Sequence, residues 1–302
     1  MKARILLSLA LLATAGALRA ATAAEELHRP QKVADGVWAM TTNGGANAGW
    51  FLFGDGVIAV DSGNETSAEG VLAAIKETTG GKKVSYLIVT NNFGPHAGGS
   101  AVFSRGGAKV VSSEKFGPYF AAYLSREPGR PAAPEILTMA QRLVLSDSKR
   151  FVEIDFVGPA DSGGDLVVYL PNDKVLFTGD LVESTILPPL FSKELEIEGW
   201  ISTLEKLGRL KVSKLVPGYG PIGPVEPLAA THAYLQQALA IARRVISDKV
   251  PQDFLPTRIQ EPDLVIKELP KELKTSHERN IEALVQRLKG GAPAAPAPSD
   301  KK

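Results

Sequence analysis

The chain contains no cysteine. That excludes disulfides, thiolate metal ligands, a cysteine nucleophile and a lipidated N-terminal cysteine. Histidine is scarce, with four in 302 residues. A charge imbalance is missing as well. Lys and Arg number 34 against 33 Asp and Glu, a net charge of +1 with the two signs intermixed. Nothing in that balance suggests a nucleic-acid or anionic-membrane surface. Long apolar runs are absent beyond the first twenty residues, so no stretch of the mature chain is expected to span a membrane.

That first run is informative. Lys2 and Arg4 precede ILLSLALLATAGAL, and small residues follow in ALRAATAAEE. At about fourteen residues the run is short for a span, which needs roughly 20. The pattern is that of a secretory signal peptide cut near Ala23 or Ala24, which predicts an exported, periplasmic protein. The expected organisation is a signal peptide over 1–24, one domain over 25–289 and a disordered Pro/Ala-rich tail over 290–302.

Within the domain, VWAMTT, GWFLFGDGVIAVDSG, VSYLIVT, AKVVSS, RLVLSD, RFVEIDFVG, DLVVYLP and KVLFTGD read as strands. Asp55-Gly56 is expected as the hairpin turn between the first two strands of GWFLFGDGVIAV. Thr66 with Glu69, and Thr275 with Glu278, read as capping boxes that open two helices. Trp200, Leu204 and Leu207 mark a helix face, and a further helix is expected over about 226–247. REPGRPAAPEI is a Pro-rich connector, with a lid as the alternative reading. Helices interleaved with sheets imply a layered α/β protein.

Candidate chemistry gathers in four loops that follow strand-like runs: TNNFGPHAGG, GPADSGGDL, FTGDLV and PGYGP. They contribute Asn91, Asn92, His96, Asp161, Asp180 and Tyr219. Asp61 ends a strand and is expected to support the loop beside it. His232 falls on a helical stripe and reads as a core residue, His277 lies early in the last helix, and His28 sits in the N-terminal segment.

In these blocks the chain resembles the metallo-β-lactamase superfamily. LIVTNNFGPHAGGSAVF stands where the family has T-H-x-H-x-D-H-x-G-G. GPADSGGDLVVYLPNDKVLFTGDLV stands at its third histidine block and at the strand ending in Gly-Asp, and KLVPGYGPIG at its P-G-H-G. The resemblance runs from about Val37 to Leu288. It implies a four-layer αββα sandwich, here classed α/β (α+β), and a binuclear metal site that hydrolyses β-lactams, thioesters, lactones or phosphoesters. Against the family pattern, Asn91, Phe93, Pro95, Asp161 and Tyr219 replace ligands, while His96 and Asp180 keep the family residue.

Three readings stay open. In the first, the fold is retained without metal or other cofactor as a pseudoenzyme, and Asn91, Asn92, Phe93 and Tyr219 line a pocket for a small molecule or a periplasmic protein. This reading expects Phe93 and Pro95 to fill the old metal cavity. In the second, His96, Asp161 and Asp180 hold one divalent ion (Zn, Mn or Fe) for hydrolysis. In the third, Asp161 and Asp180 act as a metal-free acid/base pair with His96 or Tyr219. If the protein is an enzyme, Asp180 and His96 are the expected catalytic residues. Trp50, Phe93, Tyr119, Phe120 and Tyr123 read chiefly as packing, with an aromatic pocket rim as the alternative.

Overall fold

The computed structural model describes residues 28–126, 135–249 and 271–290. The expected signal peptide, the Pro-rich connector over 127–134 and the tail beyond residue 290 lie outside them. A seven-stranded sheet is built from β1 (Gln31–Ala34), β2 (Val37–Thr41), β3 (Asn47–Phe53), β4 (Gly56–Val60), β5 (Val84–Ile88), β6 (Lys109–Ser113) and β7 (Ile136–Met139), in that order. The first four strands pair antiparallel and the last four parallel. A five-stranded sheet runs β12-β11-β10-β9-β8, with β8 (Arg142–Ser146), β9 (Phe151–Phe156), β10 (Leu166–Leu170), β11 (Val175–Glu183) and β12 (Lys214–Tyr219). Its β11–β12 pair is parallel and the rest antiparallel.

The parallel crossovers require helices on the outer faces. On the larger sheet lie α1 (Ala68–Thr79), the short α2 (Gly94–Ala97) and α3 (Ser100–Arg105), and α4 (Gly117–Ser125). On the smaller sheet lie α5 (Ile197–Leu207), α6 (Glu226–Ser247) and α7 (Lys271–Leu288). The buried apolar residues form three layers to match. Phe51, Ile58, Ile88, Val168 and Phe177 fill the space between the sheets. Trp50, Ile75, Leu87 and Phe120 pack under the first helix layer, and Trp200, Leu204, Leu235 and Leu284 under the second. This is the expected αββα sandwich. Gly49 permits the close approach of the sheets, since a Cβ there would lie 2.3 Å from the Phe177 ring.

Several local expectations change. The β3–β4 turn is Gly54-Asp55, because Gly54 takes φ 55° at the position that needs it. The N-terminus of α1 is held by Asn64, whose Oδ1 accepts the Ser67 backbone N–H at 2.9 Å, and neither Thr66 nor Glu69 caps it. α7 is helical from Lys271, the first described residue there, so Thr275 and Glu278 lie inside the helix and cannot form its cap. His277 is buried against the Tyr234 ring, 5.8 Å away between α6 and α7. On the α6 stripe Leu228, Leu235, Leu239 and Ala242 are buried, while His232 is only half-buried. Trp50 and Phe120 are core residues, as the packing reading expects.

Candidate functional site

The site forms where the C-terminal ends of strands from both sheets meet. Asp61 follows β4 with φ 60°, a left-handed conformation that Asp tolerates better than most side chains. Its Oδ1 accepts the Thr90 N–H at 2.8 Å, and its Oδ2 accepts the Thr90 hydroxyl at 2.9 Å. The same Oδ2 faces His96 Nδ1 at 2.8 Å. Asp61 therefore fixes the loop after β5 and the ring of His96 together.

His96 sits in α2, whose backbone is tied to the segment after β4. Ser62 N–H and Ser62 Oγ both donate to the His96 carbonyl, at 2.7 and 2.9 Å. The double glycine that follows makes this possible. A Cβ on Gly98 would lie 2.6 Å from the Gly94 carbonyl, and one on Gly99 would lie 2.5 Å from Ala68 Cβ.

The other imidazole nitrogen, Nε2, lies 2.6 Å from Asp180 Oδ1. The two atoms form a close ion-pair contact. Asp180 reaches this place through two glycines. Gly179 takes φ 53°, where the β11–β12 register shifts. Gly218 on β12 has no side chain to obstruct it, and a Cβ there would lie 2.7 Å from Asp180 Oδ1. Asn91 completes the network: its Nδ2 donates to Asp180 Oδ2 at 3.0 Å, and its Oδ1 accepts the Phe93 N–H at 2.9 Å. The Tyr219 ring stands edge-on to His96, with centroids 5.7 Å apart.

Electrostatics follow from burial of several acids around one imidazole. Burial alone would lower the His96 pKa, but the Asp180 and Asp61 carboxylates outweigh it and hold the imidazole well above its ordinary value. Each ring nitrogen thus faces an acid, an arrangement that favours the protonated imidazole. Burial, then the nearby Asp165, Asp180 and Glu183, raise the Asp161 carboxyl well above the usual carboxylate range. Burial, then Asp180, does the same to Glu183. Asp165 is pushed up to about 6, chiefly by burial and against the hydrogen bonds it accepts from Ser162. The Tyr219 hydroxyl is also raised, by burial and then by the surrounding carboxylates, which disfavours a phenolate.

His96, Asp180, Asn91 and Tyr219 therefore come together as the sequence suggests, and Asp61 supports them. Asp161 is buried with an Oδ1 that has no hydrogen-bond partner among the described residues. Asn92 is half-buried. Phe93 corrects the expectation that it would fill a vacated cavity: it is 36% exposed, and the carboxylate of Asp180 occupies the position facing His96 Nε2. Sequence reading overlooked Asp165 and Glu183. Asp165 precedes β10 and Glu183 closes β11, and an acid beside a strand end reads equally well as a turn residue.

The donors do not fit a two-metal centre. A histidine that ligates a metal commonly gives one ring N–H to a carboxylate and turns its other nitrogen to the ion. Asp61 and His96 keep the first half of that arrangement, but the second nitrogen meets Asp180. Asn91 turns its amide N–H toward Asp180, and its oxygen is occupied. Phe93 and Pro95 have no side-chain donor. Among the described residues no group of three or more His, Cys, Asp or Glu is disposed to hold a metal ion.

Comparison with known proteins agrees with this architecture. The profile of the Metallo-beta-lactamase superfamily matches residues 41–219, more than half of the chain. Metallo-beta-lactamase IND-1 of Chryseobacterium indologenes is 27% identical over 137 residues, which cover 44% of this chain and 54% of that protein. The match thus spans about half of that relative's length. A metallo-beta-lactamase from Pontibacter korlensis superposes with a TM-score of 0.57 at 26% identity, covering 69% of this chain and 98% of the other. The DIM-1 metallo-beta-lactamase superposes equally well at 19% identity, covering 70% and 97%, a likeness of fold. With this fold, these motif positions and this profile match, the chain belongs to the metallo-β-lactamase superfamily.

Proposed function

We propose that this is an exported member of the superfamily that binds a small molecule or a protein partner without hydrolysing it. The observation that carries the reading is the Asp61–His96–Asp180 arrangement, in which a carboxylate faces each imidazole nitrogen at 2.8 and 2.6 Å. An imidazolium held in this way has no lone pair with which to ligate an ion or to take a proton. Metal-assisted hydrolysis needs an ion with an open coordination position to activate water. Export is supported by the charged, apolar and small-residue pattern over 1–24. No helix among the described residues is long and apolar enough to cross a membrane.

A second reading, a metal-dependent hydrolase with a mononuclear site at His96, Asp161 and Asp180, draws on one observation. Asp161 Oδ1 is buried without a hydrogen-bond partner beside the pair. It requires a cation to displace the His96 proton.

One experiment separates the two. Protein purified without chelator or affinity-tag histidines is measured for metal content before and after soaking with Zn²⁺, Mn²⁺ and Fe²⁺. It is then assayed on β-lactams, thioesters, lactones and phosphoesters. The binding reading expects no stoichiometric metal and no turnover. Near one metal per chain with turnover, both lost in Asp180→Ala, would establish the hydrolase instead.

A further inference from the structure

A cavity of about 570 Å³ opens between the end of β11, residues 184–188, residues 221–227 and the first turns of α6. Its size lies within the range of small-molecule sites, about 300–1,000 Å³. The walls are apolar: Ile186, Leu187, Pro188, Pro224, Pro227 and Ala230. The charged side chains that line it are Glu183 and Glu226, and among the described residues no Lys, Arg or His does so.

Glu183 sets the chemistry. It forms part of the wall, it is 6% exposed, and its Oε2 is buried with no hydrogen-bond partner among the described residues. A buried polar oxygen left unpaired is unfavourable. Tyr234, also on the wall, is already engaged, because its hydroxyl accepts Asn280 Nδ2 at 2.8 Å. Behind Glu183 lie Asp180 and the rest of the acid cluster. An anionic ligand would meet acids without a compensating cation. A hydrocarbon would leave the Glu183 oxygen unpaired. A protonated amine would supply the hydrogen-bond donor, and its charge would draw the Glu183 carboxyl, which burial holds above the usual range, into its ionised form, giving the stronger, charge-assisted contact.

We propose that this cavity binds a small apolar molecule carrying a protonated amine, with the ammonium group donating to the Glu183 carboxylate and the apolar body lying against Ile186, Leu187, Pro224 and Ala230. The proposal rests on the binding reading above and names its ligand class.

The test is fluorescence titration of the mature protein with 1-naphthylmethylamine, using 1-naphthalenemethanol as the uncharged isostere. The expected result is an amine preference of about ten-fold, the size of one charge-assisted hydrogen bond. Glu183→Gln should reduce that preference to near one while leaving the alcohol's affinity in place. Ala230→Trp, at an exposed helix position, should weaken both probes. Equal affinity for amine and alcohol, a preference that survives Glu183→Gln, or binding untouched by Ala230→Trp would overturn the assignment. Absence of amine binding in a metal-free, inactive protein would remove this proposal alone. Stoichiometric metal with turnover would remove the reading beneath it.

Discussion

Raising the pH from 5 to 8 should weaken this fold, because its buried acids are held above their ordinary values. Asp165, ordinarily near 3.8, is pushed up to about 6 in the folded protein. A displacement of that size corresponds to about 3 kcal/mol. The folded state binds this proton more tightly than the unfolded chain does. Its contribution is complete only well below pH ~3.8 and is lost as the pH rises through about 6, with about 1.4 kcal/mol of the loss falling between pH 5 and 8. Asp161 and Glu183 are raised as well and act in the same direction. So does His96: its folded value lies above the ordinary one, so its contribution is complete below about pH 6.5 and disappears as the pH rises through the folded value. The assay is urea unfolding at constant ionic strength, followed by the fluorescence of the buried Trp50 and Trp200. With a urea dependence of about 2–3 kcal/mol per molar, Asp165 alone should lower the midpoint by about 0.5–0.7 M between pH 5 and 8. Asp165→Asn isolates this share. The amide keeps an acceptor for the Ser162 N–H, and its NH2 can face the Ser162 hydroxyl, which rotates to accept. The variant should fold and show a shallower dependence. A wild-type midpoint that is flat or rises with pH, or an unchanged slope in the variant, would refute the reasoning.

Two substitutions probe the frame of the site and a third probes a link at the opposite end of the strands. Asp61→Asn keeps a residue that tolerates φ 60° but offers one acceptor oxygen in place of two, so either Thr90 N–H or His96 Nδ1 faces an NH2. It should destabilise by about 3 kcal/mol in urea unfolding. Gly179→Ala places a Cβ 2.3 Å from Thr90 Oγ1 at a positive φ, which should cost more than about 2 kcal/mol in urea unfolding. Arg150 donates to both Asp173 carboxylate oxygens and to the Leu52 and Asp35 carbonyls. A lysine cannot reproduce that fork, so Arg150→Lys should lower stability by about 2–4 kcal/mol in calorimetry.

The strands and outer helices were legible because burial imposes their period locally, as in VSYLIVT or along Trp200, Leu204 and Leu207. His96 and Asp180 were legible for a different reason: they stand within ordered motif blocks. Their contact was not, since Asn91 and Asp180 are 89 positions apart and nothing in either loop states that a carboxylate will face the imidazole. Glu183 and Asp165 were overlooked because an acid beside a strand end reads the same whether it turns to water or inward. The caps failed on a smaller scale. Several polar residues precede α1, and three-dimensional placement selected Asn64.

Asn47, at the start of β3, connects the two sheets at the same end as the site. Its Nδ2 donates to the carbonyls of Pro217 and Gly220, each at 2.9 Å, and its Oδ1 accepts the Thr41 hydroxyl. Ala46 pairs with Tyr219 beside it. The sandwich is thus stitched at its functional rim, so the sheets cannot slide past one another there. Adaptation to different occupants is left to the segments outside the stitch, 184–188 and 221–227, whose prolines allow few backbone rearrangements. A ligand bound there as proposed would be selected by a nearly fixed shape, and the amides around Asn47 should be among the slowest in the molecule to exchange with solvent.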